Sequence, residues 1–62
     1  MEHTHAALGH DLSNQLSIIL GFSELLLAAL PEGDARRADV QQIDKAARAA
    51  MQMVWQSLLS QL

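Results

Sequence analysis

The chain has 62 residues, no cysteine, and seven acidic against four basic side chains, which give a formal net charge of −3. One small domain is the most that it can form, and disulfides, thiolate metal sites and thiol catalysis are excluded. The negative charge argues against a surface that binds nucleic-acid phosphates. Half of the residues are hydrophobic but only 3% are aromatic, a composition typical of helix bundles.

The first predicted element is a helix over about residues 4–30. Apolar residues recur at threes and fours along one face, at Leu8, Leu12, Leu16, Ile19, Phe22 or Ser23, Leu26 and Leu30. The opposite stripe consists of His3, Ala6, His10, Asn14, Ser17, Gly21, Glu24 and Ala28. No uninterrupted apolar run is long enough to span a bilayer, and the start of the chain lacks the basic residues of a signal peptide. We therefore expect a soluble, cytoplasmic protein without membrane contact.

A loop over about residues 31–34 separates this helix from the second. Pro31 disfavours helical geometry at the residue before it, and Gly33 and Asp34 add to the turn signal. Asp34 is the predicted N-cap of the next helix. Arg36 and Arg37 follow in the first turn, where we expect them on a solvated face.

The second predicted helix covers about residues 35–61. Its apolar seam alternates threes and fours, at Val40, Ile43, Ala47, Met51, Val54, Leu58 and Leu62, with Trp55 at the edge. Asp44 and Arg48 are spaced i,i+4 with the acid first, which is the favourable order for an ion pair.

The whole chain, residues 1–62, is thus predicted to be one all-α unit, an antiparallel two-helix hairpin. Each helix has an apolar face wider than one neighbour covers, and the residues expected to need a further surface are Leu8, Leu12, Ile19, Leu26, Val54, Trp55 and Leu58. Burying one such side chain contributes roughly 1.5 to 3 kcal/mol. We therefore expect two hairpins to associate as a homodimeric four-helix bundle.

The residues most suggestive of chemistry are His10, Asp11 and Asn14, on the polar stripe of the first helix or beside it. Neutral imidazole has a nitrogen lone pair suited to attack on phosphorus or to metal binding. An adjacent carboxylate can hold the other ring N–H and offset the charge that develops during attack. The amide of Asn14, one turn on, is placed to contact a phosphoryl oxygen or a water.

The segment His10-Asp11-Leu12-Ser13-Asn14-Gln15-Leu16, followed by residues 18–26, resembles the H-box of sensor histidine kinases, in their dimerisation and histidine-phosphotransfer domain. The resemblance extends through the loop to residues 34–39 and 43–50, where the sequence is mostly that of a generic amphipathic helix.

This resemblance implies that His10 accepts the γ-phosphoryl group of ATP and passes it to an aspartate of a response-regulator receiver domain. Asp11 would be the general base, and Asn14 would position water or the phosphoryl group. Ser13, Ser17 and Gly21 would line the surface that binds these partners. ATP and Mg²⁺ would come with a separate ATP-binding catalytic domain of the parent kinase, because this chain has neither the asparagine-bearing helix nor the glycine-rich lid of that domain and contains no cofactor site of its own. It is expected to be a fragment of a larger kinase or a free-standing phosphotransfer module, and not a kinase alone.

Two other interpretations remain open. The chain could be a structural dimerisation or adaptor hairpin whose histidine has no phosphotransfer role. A metal site formed by His3, His5 and His10 is the other alternative, but His3 and His5 lie on different helix faces, so we predict no metal.

Overall fold

The computed structural model describes residues 5–60, which contain two α-helices and no strand. Helix α1 runs over His5–Ala29 and helix α2 over Arg36–Leu59. The second turn of α1 contacts the last turn of α2, so the two helices are antiparallel. The predicted all-α hairpin is therefore confirmed. The predicted helix ends at residues 4 and 61, and Leu62 of the predicted seam, lie outside the described residues.

The turn between the helices differs from prediction at the start of α2. The N-cap residue is Ala35, which already has helical dihedral angles (φ −62°, ψ −27°) and makes no side-chain capping bond. Asp34 acts from one residue further out, where its Oδ1 accepts the Arg36 N–H at 2.9 Å. The Arg36 guanidinium also pairs with this carboxylate at 2.7 Å, and these contacts hold the pKa of Asp34 below its ordinary value.

The expectation of a solvated face for Arg37 is wrong. This side chain is half-buried, and its Nη1 donates to the carbonyl oxygens of Leu27 and Leu30. The last carbonyls of a helix have no partner within the helix, and a cation at that end also interacts favourably with the helix dipole. Arg37 therefore ties the start of α2 to the end of α1.

On α1 the face that contacts α2 is rotated from the predicted apolar stripe, whereas on α2 the contact face coincides with the predicted seam at every described position except Ile43. The least exposed positions of α1 are Ala7, Gly9, Ser13, Leu16, Leu20, Ser23 and Leu27, and those of α2 are Arg37, Val40, Asp44, Ala47, Ala50, Met51, Val54 and Leu58. On α1 the contact face is centred roughly 70° from the predicted apolar stripe, and the two share Leu16 and Ser23. Gly9 allows close approach of Leu58 at this contact, while other large apolar side chains of α1 are left at its edge.

Much apolar surface therefore stays uncovered. Among the described residues the exposed large hydrophobic side chains are Leu8, Leu12, Ile18, Ile19, Phe22, Leu25, Leu26, Ile43, Met53, Trp55 and Leu59. The prediction of an uncovered surface is confirmed for Leu8, Leu12, Ile19, Leu26 and Trp55. Val54 and Leu58 are partly covered within the hairpin, where Leu58 contacts Gly9, and both still line an open depression with Leu8 and Leu12.

Four of these residues, Leu8, Leu12, Ile19 and Leu26, form one stripe of α1, and Ile43 continues it on α2. Leu8 and Leu12 share a depression with Ser57, and Ile43 lies two heptads before Ser57 on the same stripe of α2. We call these five residues the apolar flank.

Within residues 5–60, one helix is long and apolar enough to cross a membrane by length and composition. The stretch is Ala7–Ala29 of α1, and little of it is buried in the hairpin. This span contains Asp11 and Glu24, so it is apolar on average without being an uninterrupted apolar run. A core helix of a soluble protein and a signal sequence also meet the same criterion.

Candidate functional site

His10 lies on the exposed side of α1, in its second turn. Asn14, Ser17 and Gly21 follow it at helical spacing and are exposed as well. We call these four residues the His10 face. The structure thus brings four of the six predicted site residues onto one accessible stripe.

Gly9 explains why His10 points outward. It is buried against Leu58 of α2, and the next residue of a helix is rotated by about 100°. A glycine inside a helix costs about 1 kcal/mol relative to alanine. A glycine at this cost, directly before a histidine, was the sequence signal for a close contact between the helices at Gly9. That signal was missed.

Asp11 is exposed, about 100° further round the helix than His10. Within the described structure the two side chains make no hydrogen bond to each other, so the expected clamp on the imidazole N–H is not formed. Consecutive helix residues do not face one another, which is the physical reason. Catalytic hydrogen bonds often form only when substrate is bound, and Asp11 stays the nearest carboxylate in sequence to His10.

Ser13 is placed differently from the rest of the predicted set. It is half-buried towards α2, and its hydroxyl donates to the backbone carbonyl of His10 at 3.0 Å. Ser17 remains on the exposed surface, with its Oγ 4.0 Å from the sulfur of Met51. Ser13 is therefore less accessible to a partner than the sequence suggested.

Gly21 lies in open surroundings. A Cβ built on it would have no neighbouring atom within 4 Å, apart from its own helix backbone and chain neighbours. Contacts within the described part of the hairpin thus give no reason for a glycine here. Its helix-propensity cost of about 1 kcal/mol would be compensated by close approach of a partner.

A polar network joins the helices on the same side as the His10 face. Ser23 is almost fully buried, and its Oγ lies 2.8 Å from the Leu20 carbonyl oxygen and 3.0 Å from Asp44 Oδ2. Arg48 donates from Nε to Asp44 Oδ1 at 2.7 Å, which confirms the predicted i,i+4 pair, and its Nη2 reaches Glu24. The Arg48 bond is the main reason that the pKa of Asp44 lies below its ordinary value.

The described residues contain no group of three or more His, Asp or Glu that could hold a metal ion. His3 and the side chain of His5 lie outside what is described. The best-formed depression is apolar, with a volume of about 100 Å³, and is lined by Leu8, Gly9, Leu12, Val54, Ser57 and Leu58. It opens on the apolar flank, away from His10, so it does not belong to the candidate site.

Comparisons of the chain with protein-family models, with curated proteins and with solved structures found no match. Evidence about function therefore comes from the residues and their arrangement.

Proposed function

We propose that this chain is the dimerisation and phosphoacceptor module of a two-component sensor histidine kinase. In this proposal His10 accepts the γ-phosphoryl group of ATP and passes it to an aspartate of a receiver domain. The observation that carries the proposal is the exposure of His10, with Asn14 one turn on, on one side of a helical hairpin whose opposite side is apolar. An H-box-like sequence on a helix that leaves its histidine accessible is what phosphoryl transfer between proteins requires.

The chemistry requires little beyond these residues. The imidazole nitrogen attacks phosphorus, the bond from phosphorus to the ADP leaving group breaks, and a proton leaves the ring. Asp11 is the proposed general base for that proton. ATP and Mg²⁺ would be supplied by a separate catalytic domain, and Asn14 would orient the phosphoryl group or a water.

Surface area supports association of two copies. A compact monomer of this mass exposes about 4,000 Å², whereas the hairpin exposes 4860 Å². A compact particle of twice the mass exposes about 6,600 Å², so pairing two hairpins would bury roughly 3,000 Å² in total. That area lies in the range of permanent homodimers.

The rotation of the α1 stripe away from the contact with α2 supports the same arrangement. On α1 the seam residues Leu12, Ile19 and Leu26 lie on one side of the face that contacts α2, and the corresponding residue of α2, Ile43, lies on that same side. In a four-helix bundle each apolar face points between two neighbouring helices. The hairpin supplies one of these neighbours, and we propose that a second copy supplies the other.

A structural adaptor hairpin is the second candidate, and the many uncovered apolar side chains favour it equally. NMR titration of the labelled chain with isolated receiver domains separates the two. A phosphotransfer module is expected to show shifts centred on the His10 face. Binding elsewhere, or no binding, would favour the adaptor.

A further inference from the structure

The two helices pack together at the open end of the hairpin, close to His10. At the other end, beside the loop, Arg37 donates to two carbonyl oxygens of α1. At the open end Leu58, in the last turn of α2, lies against the backbone of Gly9 and leaves no room there for a Cβ. His10 is the next residue of α1. The last turn of α2 is therefore in direct contact with the turn of α1 that carries His10.

This turn of α1 is a weak helix former by composition. Glycine ranks below every residue type except proline in helix propensity, and histidine, serine and aspartate also rank low. These four types occupy positions Gly9, His10, Asp11 and Ser13. The first turn of α1 as described, residues 5–8, contains no acidic residue that would favour a helix N-terminus. Helical structure around His10 therefore depends on packing against α2.

The same turn fixes the relation between His10 and Asn14. In an α-helix the His10 carbonyl oxygen accepts the Asn14 N–H, and the Ser13 hydroxyl also donates to this oxygen, at 3.0 Å. His10 and Asn14 share a stripe only while the residues between them are helical. Unwinding would release the imidazole from its direction and separate it from the Asn14 amide. A contact that stabilises this turn thus also orients the imidazole.

We infer that Leu58 is a positioning residue for His10, an inference whose catalytic consequence rests on the proposed function. By packing on Gly9 it keeps the second turn of α1 helical, and the imidazole then has one direction towards an incoming phosphoryl donor. A nucleophile that is held in one geometry reacts faster with a bound partner than a mobile one does. Leu58 acts through Gly9, so it changes the presentation of His10 and not its chemistry.

Hydrogen exchange of the full-length chain tests this ordering without ATP or a partner domain. The Asn14 amide reports on the turn that carries His10, and the amide of the buried Ala47 reports on the middle of α2. Leu58→Ala should speed exchange of Asn14 by about tenfold or more relative to Ala47, because local opening no longer breaks the Leu58 contact. Leu58→Met conserves volume and should restore most of the protection. Gly9→Ala added to Leu58→Ala should also restore it, because alanine favours helix and then has room.

Two further variants are the controls. Leu59→Ala removes the neighbouring leucine, which is 60% exposed, and should leave exchange of Asn14 unchanged. Val40→Ala removes buried packing near the loop, so it should weaken the whole hairpin and speed Asn14 and Ala47 alike. Circular dichroism checks that each variant is folded, and Leu58→Val is the milder truncation to use if Leu58→Ala is not.

Phosphorylation separates the orientation of His10 from its reactivity. Phosphoramidate is a small donor from which imidazole displaces ammonia, and it should phosphorylate His10 in Leu58→Ala at close to the wild-type rate, because the imidazole is unchanged. Transfer from ATP through a matching ATP-binding domain should fall by about tenfold or more. Leu58→Met should recover that rate, and Leu59→Ala should not lose it.

Equal acceleration of the two amides in Leu58→Ala, or the same effect from Leu59→Ala, would overturn the inference. So would an unchanged rate of transfer from ATP, or an equal loss of rate with phosphoramidate. If the wild-type chain takes no phosphate from ATP, the proposed function fails, and the ratio of exchange rates still decides whether Leu58 orders the turn at His10.

Discussion

The side chain of Leu58 lies so close to Gly9 that a Cβ built on this glycine would be 2.6 Å from Leu58 Cδ2. A close contact of α2 with α1 therefore lies next to His10. It directs the residue before His10 inward and His10 itself outward. The contact also covers part of the Leu58 side chain, which the sequence pattern predicted to be exposed in the hairpin.

Gly9→Ala and Gly21→Ala are expected to differ in stability although both lie inside α1. Alanine is favoured over glycine in a helix by about 1 kcal/mol. Gly21→Ala has open space around the new methyl group, so it should gain up to that amount. Gly9→Ala forces Leu58 to move, and overpacking costs about 1 to 3 kcal/mol. Urea unfolding at equal protein concentration should show Gly9→Ala to be less stable than Gly21→Ala by at least about 1 kcal/mol.

The double variant with Leu58→Ala is the control for this pair. Removal of the Leu58 side chain should let Gly9→Ala gain as much stability as Gly21→Ala does. Equal stabilisation by the two alanines with Leu58 present would contradict the contact.

Acid unfolding should depend on Asp44. Its pKa in the folded hairpin is below the ordinary value, chiefly because of Arg48 and further because of Ser23. A lowered folded pKa means that this contribution to stability is present above the unfolded pKa of about 3.9 and is lost as pH falls through the folded value. Asp44→Asn should therefore flatten the loss of stability below about pH 4, while Asp34 still contributes. Unfolding curves from pH 7 to pH 2 measure this, and an unchanged pH dependence in Asp44→Asn would refute it.

Charges placed on two sides of α1 should affect association differently. Ile19 belongs to the apolar flank and is 46% exposed in the hairpin, whereas Leu25 is 65% exposed and lies about 120° away from Ile19 around the helix. Sedimentation equilibrium should show a dimer for the wild type and for Leu25→Glu, and a monomer for Ile19→Glu. A dimer that persists in Ile19→Glu would place the interface elsewhere.

Asp11→Asn is expected to slow phosphorylation of His10 by about 10² to 10⁴-fold, the usual contribution of a general base. The variant keeps the size and exposure of the side chain, so dimerisation should not change. The initial rate of phosphate incorporation, with a matching ATP-binding domain, measures the effect. A rate within threefold of wild type would show that Asp11 is only a solvated residue.

The hairpin itself was predictable because period and turn signals are local. Residues 31–34 end one helix, and threes-and-fours spacing defines both helices. The contact face of α2 was predictable from its seam, but that of α1 was not, because the wide apolar face of α1 does not show which part meets α2. Leu16 and Ser23 lie on both the predicted stripe and the observed contact face, but Leu12 and Ile19 do not.

The candidate site was likewise predictable only where it depends on local helical spacing. Helical spacing alone indicated that His10, Asn14, Ser17 and Gly21 share a face. It could not indicate that Ser13 turns towards α2, or that Arg37 reaches back to the end of α1, because both depend on the packing of one helix against the other.

The most direct test of the proposed function is site-specific phosphorylation of His10. The full-length chain is incubated with Mg²⁺, labelled ATP and a matching histidine-kinase ATP-binding domain. We expect a phosphate that is labile in acid and stable in base, located on His10 by mass spectrometry and absent from His10→Gln. Equal incorporation into His10→Gln, or no incorporation into a wild-type chain that binds the ATP-binding domain, would contradict it.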